Sequence, residues 1–220
     1  DGVITDEKDT PAAPKAEVTA AADGGYNFVN WTDESEGEYA DVEAIRAESF
    51  NTDKTFTANF TIKTDLAYTV NYYYEDADGQ LVEDLTDEGH QGTGTFNTKI
   101  PYENTTEEEG YIFDRVEYVE GGNGLIQNDP AKNVVNVYFA QDKTGTEEPG
   151  KGDNVPDKYQ ATFTYQAGEN GSVSGTTTEV HTVKEVIRNA DGVITDEKDT
   201  PAAPKAEVTA AADGGYNFVN

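Results

Sequence analysis

The chain has 220 residues, with 15 Lys and Arg against 44 Asp and Glu and a formal net charge of −29. So acidic a surface repels nucleic-acid phosphates and anionic membranes, which removes both from the expected partners. Cysteine and methionine are absent, so disulfides, thiol nucleophiles and thiolate metal sites are excluded, and no apolar run approaches the roughly 18 residues of a membrane span.

Taken in chain order, Asp6–Pro14 (DEKDTPAAP) and its copy at Asp196–Pro204 read as an exposed loop, and Lys15–Ala20 shows weak strand alternation. Asp23-Gly24-Gly25 is a turn signal, followed by an aromatic-rich strand over Tyr26–Trp31. Glu36–Phe50 is ambiguous and is read as a short helix or irregular insertion. Thr55–Ile62 alternates, with Phe56, Ala58, Phe60 and Ile62 on one face, which predicts a half-buried strand. After a tight junction at Lys63–Leu66 comes a strand over Tyr68–Glu75, with Tyr68, Tyr72 and Tyr74 on one face and Tyr73 on the other. A turn follows at DADGQ, then Leu81-Val82 and further strands at Tyr111–Tyr118 and Asn133–Ala140. Residues 142–157 (DKTGTEEPGKGDNVPD) combine Pro, Gly and charge without apolar periodicity and read as a linker. Gln160–Ala167 is another strand, and AGENGSVSG after it carries hairpin-turn residues.

Residues 191–220 repeat residues 1–30 letter for letter, a period of 190. Fixed-period identity marks a tandem array. It predicts that the closing stretch occupies the place of the opening one, a step further along a serial protein.

Catalytic chemistry finds little support. His90 and His181 lie in different segments, and both are read as ordinary surface or strand residues. Paired carboxylates carry little information in so acidic a chain, and nothing singles out a hydrolytic pair. No catalytic, cofactor-binding or metal site is therefore assigned. Calcium is the one cofactor weighed, at Asp76, Asp78, Glu83 and Asp84 or at Asp153, Asn154 and Asp157. Neither cluster has the EF-hand spacing, so turn-forming and solvated-linker roles are favoured. Lys63, Lys99 and Lys132 sit near strands where a Lys–Asn crosslink would form, an option left open.

Two resemblances follow from particular residues. Asn170-Gly171-Ser172-Val173, Val208-Thr209-Ala210, Gly25-Tyr26-Asn27-Phe28-Val29-Asn30-Trp31 and Lys54-Thr55-Phe56-Thr57-Ala58-Asn59-Phe60 resemble the internalin-type B-repeat of bacterial surface proteins. The middle segment, with YTVNYYYEDADGQLVED, Gly89–Gly94, Gly110-Tyr111 and the closing Val135–Phe139, is similar to the mucin-binding-protein (MucBP) type of repeat. Together they imply a mostly β fold of small β-grasp-like or sandwich-like modules, strung as beads with little helix, and no catalysis. The implied divisions are a B-repeat-like portion at 1–62, a MucBP-like module at 66–141, the linker at 142–157, and the start of the next B-repeat-like module at 158–220.

The expected core anchors are Tyr26, Phe28, Trp31, Phe56 and Phe60 in one module and Tyr111, Val137 and Phe139 in the other. The expected role is structural: a stalk, fibre or filament segment on a bacterial surface, wall-anchored elsewhere in the protein or secreted. The expected partners are neighbouring copies of the repeat, joined by strand complementation. The alternative is an adhesin whose repeats themselves bind host glycan or protein.

Overall fold

The computed structural model describes residues 7–145 and 152–219. Their regular structure is mostly strand, and they fall into two compact units. The first comprises the chain up to Tyr68 together with Thr93–Lys99 and Leu125–Pro130; the second comprises Thr69–Gly92, Ile100–Gly124 and Ala131 onward.

In the first unit, β1 (Tyr26–Asp33) lies between β2 (Glu38–Tyr39) and β3 (Phe56–Ile62), all antiparallel. The ambiguous insertion contains a single five-residue helix, α1 (Val42–Arg46). Asp41 caps it by accepting from the Ala44 N–H at 2.9 Å, and Ile45 is buried. Beyond the strand, Phe96 packs edge-on against Tyr26 with centroids 6.1 Å apart. A Cβ on Gly25 would lie 2.2 Å from the Phe96 ring, and Gly25 has φ +90°, so only glycine fits there.

The anchor expectation for this unit needs correction. Tyr26 and Phe60 are 40% and 41% exposed, while Phe28, Trp31 and Phe56 are half-buried. A three-stranded sheet buries a face only where something lies on it, and the outer ends of β1 and β3 are uncovered.

The second unit is built on a four-stranded mixed sheet of β4 (Leu66–Glu75), β5 (Asp87–Gly94), β6 (Tyr111–Tyr118) and β7 (Val134–Gln141), in the order β5-β4-β7-β6. β4 and β7 run parallel in the centre, and β6 is antiparallel to β7. Val70, Val116, Val135, Val137 and Phe139 are essentially inaccessible. Tyr72 and Tyr74 both stack on Phe139, whereas Tyr73 stacks on Tyr138 from the other face, as the alternation predicts. Val137 and Phe139 are core residues as expected, and Tyr111 is half-buried.

The remaining strands form three separate antiparallel pairs. β8 (Gln160–Thr164) pairs with β10 (Thr178–Thr182), and β9 (Gly171–Gly175) pairs with β13 (Val208–Ala212). β11 (Lys184–Arg188) pairs with β12 (Ile194–Asp199). Two expectations are corrected here. The Gly-rich AGENGSVSG stretch joins β8 to β9, but the two do not pair, because each finds a partner further along the chain. Asp196–Pro204, expected as a loop, begins inside β12 because β11 supplies a ladder for it.

The twin thirty-residue segments adopt different structures. Val208–Ala212 is a strand and its counterpart Val18–Ala22 is not; Tyr26–Asn30 lies in β1 and its counterpart Tyr216–Val219 in no strand. Only the turn is common to both. Tyr26 N–H donates to Asp23 O and Tyr216 N–H to Asp213 O, each at 3.0 Å, and Gly25 and Gly215 share φ 90°. The turn is closed within four residues and forms wherever the sequence occurs. A strand needs a partner, and each copy has different partners beside it.

Candidate functional site

The most strongly organised polar site lies within the second unit, where the β11–β12 hairpin meets β6. It begins with a β-bulge. The β6–β7 register shifts between Phe113 and Arg115, leaving Asp114 without a ladder partner. Asp114 is completely buried, a position a carboxylate holds only when paired.

Its oxygens are fully engaged. Oδ1 accepts from the Tyr159 hydroxyl at 2.9 Å and from Arg188 Nη2 at 2.6 Å. Oδ2 accepts from Lys158 Nζ at 2.7 Å and Arg115 Nη1 at 2.9 Å. Glu75, at the end of β4, receives a bidentate Arg115 guanidinium at 2.8 and 2.9 Å and Lys158 Nζ at 2.5 Å. Glu117 takes the remaining Arg115 Nε at 2.7 Å, and Arg188 Nε donates to the Asp114 carbonyl. Three carboxylates thus face three cations, and the charges balance locally within a strongly acidic chain. The Arg115 guanidinium also lies 3.8 Å from the Tyr138 ring centroid.

The electrostatics follow the geometry. Burial pushes the Glu75 carboxyl up, but hydrogen bonds from Arg115 and Lys158 and the charges behind them outweigh it and hold it below the usual glutamate range. For Asp114, burial again opposes ionisation, and the charge and hydrogen bond of Lys158 with those of Arg115 and Tyr159 overcome it. Burial, followed by the charge and hydrogen bond of Asp114, raises the Tyr159 hydroxyl far above its ordinary value, so it stays a donor.

The residues come from two sides of the 142–157 segment. Glu75, Asp114, Arg115 and Glu117 belong to the four-stranded sheet, while Lys158, Tyr159 and Arg188 follow the segment in sequence. A turn seals the contact: Gly192 O accepts from Val116 N–H at 3.0 Å, and Tyr102 OH donates to Asp191 O at 2.7 Å. A Cβ on Gly192 (φ +75°) would lie 2.5 Å from the Phe113 ring, so this close approach requires glycine. The second copy of the repeated segment therefore starts at a docked turn.

Both ends of the 142–157 segment are tied down. Asp142 accepts from the N–H groups of Asp153 and Asn154 at 2.9 and 3.0 Å, and Asp157 accepts from Thr144 N–H at 2.9 Å. Both carboxylates are buried. Of the residues weighed as calcium ligands here, Asp157 thus serves the backbone and Asp153 accepts from Val155 N–H and the Gln160 side chain; residues 146–151 of the segment lie outside the described residues. At the other acidic cluster, Asp76 accepts from the Asp78 and Gln80 N–H groups, an Asx turn. Among the described residues no three acidic or histidine side chains converge as a cation cage.

The two histidines pair locally, His90 with Asp87 at 2.7 Å and His181 with Glu179 at 2.8 Å. Glu179 also accepts from Tyr165 OH and from the Lys205 and Ala206 N–H groups. The Tyr165 hydrogen bond leads these in lowering its carboxyl to about 2, where it acts as a fixed acceptor. Lys63 donates to Asn128.

Sequence reasoning did not find the Asp114 cluster. Asp114 is one of 44 acidic residues, and a one-residue bulge leaves no periodic signal. The excess of charge among the YIFDRVEY strand residues was the available hint.

No helix among the described residues is long and apolar enough to cross a membrane. No curated protein and no solved structure matches the chain. A family profile described as a divergent InlB B-repeat domain matches residues 1–64, the stretch that carries β1, β2, α1 and β3.

Proposed function

We propose that the chain is a structural repeat segment of a bacterial extracellular surface protein, serving as a stalk or fibre unit that extends or presents an adhesive tip. In this reading residues 66–141 are a MucBP-like module, residues 158–220 begin the next B-repeat-like module, and neighbouring copies of the repeat are the main partners. The protein is anchored in the wall elsewhere in its length or released as a filament. No catalytic step and no cofactor form part of this reading.

The observation that supports it most is the buried, charge-balanced cluster around Asp114. Such a cluster is poor at chemistry, because both oxygens of Asp114 and both of Glu75 are already committed. It is well suited to holding one module against the start of the next. A joint of this kind prevents a string of modules from folding back at each step, which a spacer requires.

The test is fractionation of the parent cells with an antibody against this chain. The reading expects the antigen in the wall or culture-medium fraction and accessible to protease on intact cells. Antigen confined to the cytoplasm would overturn it. The adhesin alternative predicts in addition that the isolated chain binds host glycans or proteins, which a spacer does not.

A further inference from the structure

The twin segments use different atoms of the same sequence. In the first copy, Ala12 exchanges two backbone hydrogen bonds with Phe50, Ala16 O accepts from Arg46, Gly25 O accepts from Lys63 N–H, and Tyr26–Asn30 pairs with β3. In the second copy, Ile194–Asp199 pairs with β11, the Lys205 and Ala206 N–H groups bind Glu179, Glu207 O accepts from Thr176 N–H, and Val208–Ala212 pairs with β9. Brought into register by the period of 190, the two sets of partners do not compete for any group among the described residues. At Ala16 and Ala206, the one residue type used in both, the carbonyl serves one set and the N–H the other.

Each copy also leaves apolar side chains uncovered where the other is paired. Tyr216, Phe218 and Val219 are 56%, 68% and 82% exposed. Phe28, the counterpart of Phe218, packs edge-on against Phe60 at 5.8 Å.

We propose that a single thirty-residue segment carries both sets of bonds at once where repeats stand in series, so that one module is assembled from two copies. The occupant of the open Tyr216–Val219 edge is the Phe56–Ile62 strand of a second copy, in the register Tyr216 to Ile62, Asn217 to Thr61 and Phe218 to Phe60 that β1 and β3 display. The shared segment becomes the seam between successive repeats, and β8 to β11 of one copy lie in the same module as β3 of the next. Because the two contacting surfaces differ, the contact is heterologous. This inference rests on the repeat reading above and names its partner.

The test adds a synthetic peptide with the sequence of residues 31–63 to the full chain and follows amide exchange by NMR, which resolves the two copies. Exchange at Asn217, whose counterpart Asn27 faces Thr61 as the hydrogen-bonded pair of the β1–β3 ladder, should slow by about tenfold or more at saturation. Phe218→Asp, at an exposed position that leaves the fold intact, should abolish the slowing while Phe28 is untouched. Unchanged exchange at Asn217, slowing confined to Asn27, or persistence of the effect in Phe218→Asp would each overturn the proposal. None of these outcomes bears on where the protein resides in the cell, so the two readings fail separately.

Discussion

Asp114 shows how one residue's position decides its energetic role. Removing the buried Asp114 carboxylate takes the carboxylate from Arg188 and the acceptor from the Tyr159 hydroxyl, while Arg115 and Lys158 keep only Glu75 and Glu117. Breaking such a buried set typically costs about 3–5 kcal/mol. Asp114→Ala should therefore lower the stability of the second unit by that order in denaturant unfolding. A loss below about 1 kcal/mol, the range of exposed ion pairs, would show that the cluster is open to solvent. Gly25 and Gly215 provide a controlled comparison, since both have φ 90° in the same turn but only Gly25 is approached by Phe96. An L-residue in this backbone region costs roughly 1–2 kcal/mol at either position, and at Gly25 a clash with the Phe96 ring adds to it. Gly25→Ala should thus be clearly the more destabilising in thermal unfolding, and equal effects would mean that Phe96 does not sit where it is described. Some residues were legible in advance: the split of Tyr72 and Tyr74 from Tyr73 follows from strand alternation alone. The exposure of Tyr26 and Phe60 was not, because large aromatics in an alternating strand look like core whether or not a second layer covers them.

At the scale of elements, the positions of β4, β6 and β7 were readable because they carry apolar or aromatic runs, whereas β5, polar and Gly-rich (DEGHQGTG), gave no strand signal and was not expected. The pairing of β8 with β10 rather than β9 was not readable, since turn residues announce a reversal without naming the partner that follows. The joint between β6 and the β11–β12 hairpin has a defined pH response. Glu75 and Asp114 have folded-state values below their unfolded ones, so their contribution is present above the unfolded carboxylate range of about 4 and lost as pH falls through the lower folded values. The second unit should keep its stability from neutral pH to about 5 and lose it progressively below about 4. Unfolding midpoints that fall between pH 7 and 5 would contradict this assignment.

Over the whole molecule, a charge of −29 makes self-repulsion a larger electrostatic effect than any exposed ion pair, whereas the buried joint is screened little by salt. Raising ionic strength from about 0.01 M to 1 M shortens the screening length from about 30 Å to 3 Å. Melting temperature should rise or stay constant over that range, and a marked fall would mean that surface ion pairs dominate stability. The repeat was legible at once as thirty identical residues. What could not be read from it is that identical residues would fold by context, because strand structure is supplied by the neighbour and only the Asp-Gly-Gly-Tyr turn is supplied locally.

The most direct measurement is residue-resolved amide exchange in the two copies of the repeated segment. Partner-determined folding predicts slow exchange for Thr209, Ala211 and Asn27, whose N–H groups face their partner strands, and fast exchange for their sequence twins Thr19, Ala21 and Asn217. Matching exchange at corresponding positions of the two copies would contradict it.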